Sequence, residues 1–234
     1  MRDIYKKPIL WAVLLAFGIV ALPLLSFAAP DLTFSIPNYS VGVIEEIGAN
    51  SRVIGSGFLL DDVNYVVTAW HVVFDRATKQ QRRLFFLPIR NLGTHERPPL
   101  LQMTPHLLLE ERDIAVMKIE GKNLAKEPLV RGNTTSLRPG HPVGYGGFNA
   151  SRTTFTLSAD LITAILPSGD LRFLEIRGVA IPGFSGGPLF GGGETVIGII
   201  LRGDSRPGAD GKVRFEAATV EQIPQFLLTG ANPK

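Results

Sequence analysis

No cysteine occurs among the 234 residues. That single absence excludes structural disulfides, thiol nucleophiles and thiolate metal sites. Histidine is scarce as well, with four copies at positions 71, 95, 106 and 141. None of these forms a closely spaced pair and no H-E-x-x-H run exists, so neither a metal nor another cofactor is expected. Charge of one sign is also in short supply: 24 basic residues face 21 acidic ones, a formal net charge of +3. Arg2, Asp3, Lys6 and Lys7 carry most of that excess, which leaves a nearly neutral body and argues against nucleic acid as a partner. Arg82-Arg83 reads as part of a solvated loop. A long helical period is missing before the last residues, whereas 25 glycines and 17 prolines point to many turns.

One long apolar run stands at the N-terminus. Arg2, Lys6 and Lys7 precede Ile9–Leu25, and Ser26-Phe27-Ala28 supplies small residues at both positions before a cut. Residues 1–29 are therefore expected to be a targeting segment, removed as a signal peptide or retained as a membrane anchor over residues 8–28. Either outcome places the body outside the cytoplasm, in a bacterial periplasm or secreted. Residues 30–40 read as a linker.

From Val41 the text consists of short apolar, β-branched runs divided by turn residues, the pattern of strands. Val41–Ile47, Arg52–Leu60, Tyr65–Ala69, Arg83–Leu87 and Ile114–Ile119 form a first group. Asn91–Leu101 reads as an irregular loop, and Gly121–Pro128 as the bridge to a second group. That group holds Pro142–Gly146, Thr153–Ile165, Leu171–Ile176, Thr195–Leu201 and Val213–Thr219, followed by a short helix over Val220–Leu228. The patterning alone implies a mostly-β protein.

The chemistry gathers around Ile181–Phe190, where Ser185 sits among Gly183, Gly186 and Gly187. A serine in such a turn can expose its hydroxyl while nearby backbone N–H groups face a developing oxyanion. Gly183-Phe184-Ser185-Gly186-Gly187 also satisfies the G-x-S-x-G pattern of α/β-hydrolases. That reading fails on chain order, since it requires acid and histidine after the serine and every histidine here precedes it. Upstream, His71 ends the apolar run Val66–Trp70, and Asp113 opens the run Ile114–Met117. The order His, Asp, Ser is that of chymotrypsin-type enzymes.

With Gly55-Ser56-Gly57-Phe58 added, four ordered motifs lie on one chain, which strongly resembles the trypsin-like serine peptidases. It is most similar to the bacterial HtrA (Deg) branch over roughly Ser40 to Leu228, and the lack of cysteine suits a bacterial-type relative. The resemblance implies an all-β domain over residues 41–229, built from two antiparallel β-barrels of the chymotrypsin/trypsin type (about 41–121 and 127–219). It implies an exported serine endopeptidase acting on protein or peptide substrates in envelope quality control or processing. His71, Asp113 and Ser185 would be the catalytic triad, and the amides of Gly183 and Ser185 the oxyanion hole. Val179, six residues before the serine, would lie at the base of the primary specificity pocket, with Ile199, Ile200 and Leu201 as a second wall. No carboxylate appears among these four, so small to medium aliphatic side chains are expected there.

The competing reading is a non-catalytic binding module on the same fold; an esterase is a weaker alternative. Phe184 departs from the pattern, because digestive trypsins carry an aspartate there that pairs with a freshly cut N-terminus. Activation by that route is excluded. Trp70, beside His71, either packs or narrows the cleft. Forty-nine residues follow Ser185 and the second barrel needs most of them, so no PDZ module is expected.

Overall fold

The computed structural model describes residues 36, 40–46, 52–88, 100–122, 127–149, 155–179, 182–193, 195–204 and 206–224. The expected leader at 1–29, most of the expected linker at 30–40 and most of the expected loop at 91–101 lie outside them. Among the described residues no helix is long and apolar enough to cross a membrane.

Thirteen described strands dominate. The first barrel is formed by β1 (Val41–Glu46), β2 (Arg52–Leu59), β3 (Tyr65–Ala69), β4 (Leu84–Pro88), β5 (Leu101–Leu109) and β6 (Ile114–Ile119). They close in the order β1-β2-β3-β6-β5-β4. The two-residue β7 (Val130–Arg131) precedes a second barrel of β8 (Pro142–Phe148), β9 (Phe155–Ser168), β10 (Leu171–Gly178), β11 (Pro188–Gly192), β12 (Thr195–Gly203) and β13 (Val213–Thr219). Its order is β11-β8-β9-β10-β13-β12, closed by β11 pairing with β12, while β7 lies parallel along β12. Closure removes exposed strand edges.

Each barrel fills its interior from alternate strand positions. In the first barrel register puts Val43, Phe58, Val67 and Val116 on one face and Ile44, Val66 and Phe86 on the other, all buried in one cluster; Val143, Tyr145, Ile176 and Phe215 pack with Phe184 in another. Arg131 spans the barrels: its guanidinium meets Asp61 at 2.9 Å and donates to the carbonyls of Val220 and Ile223.

The expectation of two antiparallel barrels holds. Three local features differ. Leu101–Leu109 is a nine-residue strand whose register shifts between Pro105 and Leu107, so the proline sits at a bulge where a missing donor is tolerated. Pro188–Gly192 is a strand too, starting three residues after Ser185. Val220–Leu228 begins as a 3-10 turn over Val220–Gln222 and ends at Ile223, in extended backbone ahead of Pro224; residues 225–228 lie outside the described residues.

Candidate active site

Register in the first barrel brings the histidine and the aspartate together. β3 pairs with β6 so that Ala69 faces Ile114, which puts Trp70 opposite Asp113 as both strands end. The Trp70 amide donates to the Asp113 carbonyl at 2.9 Å. The chain then turns through α1 (Trp70–Val73), a single helical turn carrying His71. A register slip of one residue would send these side chains to opposite faces.

Asp113 holds His71 at three points. Its Oδ1 accepts the His71 amide at 3.0 Å, and its Oδ1 and Oδ2 lie 3.0 and 2.9 Å from His71 Nδ1. Asp113 adopts a left-handed backbone (φ 55°) as it closes the 3-10 turn Glu110–Arg112, a conformation that aspartate tolerates better than most residues. Burial pushes its carboxyl up, but the His71 ring, the His71 amide and Arg76 together hold it below the usual carboxylate value. The carboxylate is thus charged and its partner nitrogen on His71 is Nδ1, leaving Nε2 as the ring nitrogen available for chemistry.

The short α1 turn is supported from behind by Arg82. Its Nη1 donates to the carbonyls of His71, Val72 and Phe74 at 2.8, 3.2 and 3.0 Å, and its Nη2 meets Asp75 at 3.1 Å. These are the orphan carbonyls that a helix end must satisfy. The expectation of a solvated Arg82 is therefore corrected: the side chain is largely buried, and only Arg83 is exposed. Trp70 packs as well, 7% exposed and stacked on Phe74 at 4.8 Å, with Lys79 over its ring. It does not line the cleft.

Ser185 enters from the second barrel, in a loop fastened to the first through Ser56. The Ser56 hydroxyl donates to the Gly183 carbonyl at 2.6 Å and accepts the Phe148 amide at 2.8 Å, while the Ser56 amide donates to the Ser185 carbonyl at 2.8 Å. Gly183 has φ 105° and Gly186 φ 84°; a Cβ on Gly186 would lie 2.2 Å from Thr68 Oγ1. Both positions demand glycine. Among the described residues the amides of Gly183 and Ser185 donate to no acceptor. Phe184 occupies the place of the trypsin aspartate as a core anchor, 1% exposed within the second barrel's cluster.

His71 and Ser185 line one cleft of about 630 Å³ between the barrels. The Ser185 hydroxyl is turned to the Leu201 carbonyl, at 3.1 Å, and not to His71. Beside it opens a cavity of about 470 Å³ with Val179, Phe184, Ile200, Leu201, Val213 and Phe215 in its walls. Val179 is 51% exposed, an open wall instead of a sealed base, and its amide donates to the Tyr145 hydroxyl at 2.8 Å. Ile200 and Leu201 line the cavity as expected of a second wall. Ile199 does not: it is fully buried in the cluster that fills the first barrel and the seam, and the register shift between Ile200 and Arg202 lets Leu201 join Ile200 at the cavity.

The roles of Ser56, Arg82 and Tyr145 arise from contacts distant in the chain. Ser56 stood in the Gly55–Phe58 motif, but its contacts are 92 and 127 residues away in the chain. No local pattern marks Arg82 or Tyr145.

Two closed antiparallel barrels, with a histidine, an aspartate and a serine at their seam, define the chymotrypsin-like architecture. The family described as trypsin-like peptidase domain matches residues 55–199, more than half of the chain, and the chain belongs to that family. It is 33% identical over 161 residues to the "Probable periplasmic serine endoprotease DegP-like" of Pseudomonas putida (strain GB-1), covering 64% of this chain and 29% of that protein. "Protease Do-like 5, chloroplastic" of Arabidopsis thaliana is 25% identical over 220 residues, covering 83% of this chain and 64% of that one. The chain spans about a third of the length of the DegP-like relatives. Among solved structures, Deg5 shares the fold with a TM-score of 0.61 at 23% identity, over 83% of this chain and 92% of that one.

Proposed function

We propose that this chain is an exported serine endopeptidase that cleaves flexible or misfolded protein segments through an acyl-enzyme. The observation that carries the reading is the His71–Asp113 contact: the carboxylate engages Nδ1 at 2.9 Å, and the ring shares its cleft with Ser185. In the first half-reaction His71 Nε2 takes the Ser185 proton as Oγ attacks the scissile carbonyl. The unspent amides of Gly183 and Ser185 receive the oxyanion. His71 then returns the proton to the leaving amine, and water enters by the same route to release the acyl group. Asp113 keeps the imidazole in its tautomer and stabilises the imidazolium. The hydroxyl must first rotate from the Leu201 carbonyl toward His71, a small rotamer change of the kind that substrate binding drives in resting sites.

Export is supported by the basic, apolar leader and by relatives named periplasmic. The domain reading, with residues 1–29 as signal or anchor and 41–229 as the protease, belongs to the same proposal. An active-site-directed fluorophosphonate tests it. Labelling that disappears in Ser185→Ala, together with cleavage of an unfolded protein such as casein, is the expected result. The second reading, a peptide-binding module, draws on the Ser185–Leu201 hydrogen bond; peptide binding with no labelling would favour it.

A further inference from the structure

The cleft leading away from Ser185 past His71 is walled by arginine. Arg52, Arg76, Arg82 and Arg202 all line it. Arg82 is committed to backbone carbonyls and Asp75, as described above. The other three stand in solvent, with side chains 64, 61 and 68% exposed. Their carboxylate partners lie behind them: Glu46 is 27% exposed, Asp113 22% and Glu216 25%. Asp75 is the acidic residue in the described wall, and its carboxylate is already engaged by the amides of Ala77 and Thr78 and by Arg82. The ion pairs balance the local charge. Even so, a chain lying in the cleft meets guanidinium groups, each with N–H donors to spare.

The position of these groups assigns them a side of the scissile bond. The apolar cavity and the cleft share Ser185, Leu201, Arg202 and Gly203, whereas Arg52 and Arg76 line the cleft alone. If the side chain preceding the scissile bond fills the cavity, the chain following it enters the cleft that His71, Arg52 and Arg76 line.

We infer that Arg52 and Arg76 select peptides bearing Asp or Glu in the first few positions after the scissile bond. This rests on the endopeptidase reading for its direction along the cleft. Rim charges of this kind act at modest strength and are screened by salt.

Three peptides with one shared aliphatic acyl side, followed by Asp-Asp, Ser-Ser or Lys-Lys, form the test. The kcat/KM values should fall in that order, with the acidic and basic peptides about tenfold apart at low salt and closer as salt is added. Arg52→Glu should collapse or invert the acid-to-lysine ratio, a measure that divides out any general loss of activity. Equal rates for all three peptides, or a ratio indifferent to Arg52→Glu, would overturn the inference. Binding of the same labelled peptides to Ser185→Ala, read by fluorescence anisotropy, separates this from the catalytic reading. Selective binding of the acidic peptide by a protein that cleaves nothing upholds the charge inference and sinks the endopeptidase. Indiscriminate cleavage does the reverse, and neither cleavage nor selective binding overturns both.

Discussion

The Ser56 hydroxyl, on a strand of the first barrel, donates a 2.6 Å hydrogen bond to the Gly183 carbonyl in the serine loop of the second. Ser56 is 1% exposed and also receives the Phe148 amide, so one small side chain ties together three segments that meet only through the fold. With its carbonyl pinned, the Gly183 backbone is fixed against the first barrel. Ser56→Ala should leave a buried amide and a carbonyl without partners, at a cost of about 1–3 kcal/mol. It should lower kcat more than it raises KM, since an oxyanion donor works only when correctly placed. Thermal melts paired with peptide kinetics check this; a lowered melting temperature with unchanged kcat would mean that the loop is held by other contacts.

Arg82 should matter to catalysis without touching substrate. Arg82→Ala removes the donor shared by three carbonyls at the end of the α1 turn and leaves His71 on a looser support. A loss of about tenfold in kcat is expected, of the size that a small misplacement of a catalytic group brings. Arg82→Lys should rescue it poorly, because an ammonium cannot reproduce the planar fork. Equal activity of Lys and wild type would reduce the role to charge alone.

Asp113 carries the clearest pH signature. Its folded pKa lies below the ordinary carboxylate value, so between the folded and unfolded values the unfolded chain binds the extra proton. Its stabilising contribution is complete above about pH 4 and is lost as pH falls through the lower, folded value. Asp113→Asn should remove this part of the acid sensitivity in melts recorded between about pH 2 and 5. It should also cut kcat by about 10⁴-fold, as loss of the correct tautomer does in the serine-protease template. An acid limb unchanged by the substitution would show that other carboxylates govern it.

The apolar cavity beside Ser185 should accept small to medium aliphatic side chains such as Val, Ala and Leu. Val179, Ile200, Val213 and Phe215 contribute no charge, and Asp204 at the rim is already near Arg214 at 3.5 Å. A lysine entering those apolar walls would lose hydration without a dedicated partner. Profiling cleavage of a mixed peptide library gives the answer, and dominant cleavage after Lys or Arg would refute this assignment. Because Val179 is half-exposed, Val179→Asp should produce only a weak new preference for cations, the carboxylate there being well solvated.

Much of the architecture was legible in the chain because closed barrels require short apolar strands and turn residues in alternation. Val213–Thr219 and Tyr65–Ala69 carry that alternation or β-branching plainly and have the expected limits. Leu101–Leu109 did not, because Pro105 interrupts it and only a bulge reveals how the ladder absorbs the lost donor. Ile199 was indistinguishable from Ile200 and Leu201 as text. Which of three consecutive apolar residues faces a cavity depends on what packs against each face of the strand.

The sequence by itself determined the order His71, Asp113, Ser185, the glycines around the serine, and the absence of thiol and closely spaced histidine chemistry. These are properties of residue type and order, and no folding is needed to read them. Tertiary structure alone decided that Ala69 faces Ile114 and so sets His71 against Asp113, and that Ser56 and Arg82 hold the two halves of the site. It also decided that the resting Ser185 hydroxyl turns to Leu201. Those contacts join residues distant in sequence through strand register and side-chain reach, and register is settled only when both faces of a sheet have found what they bury.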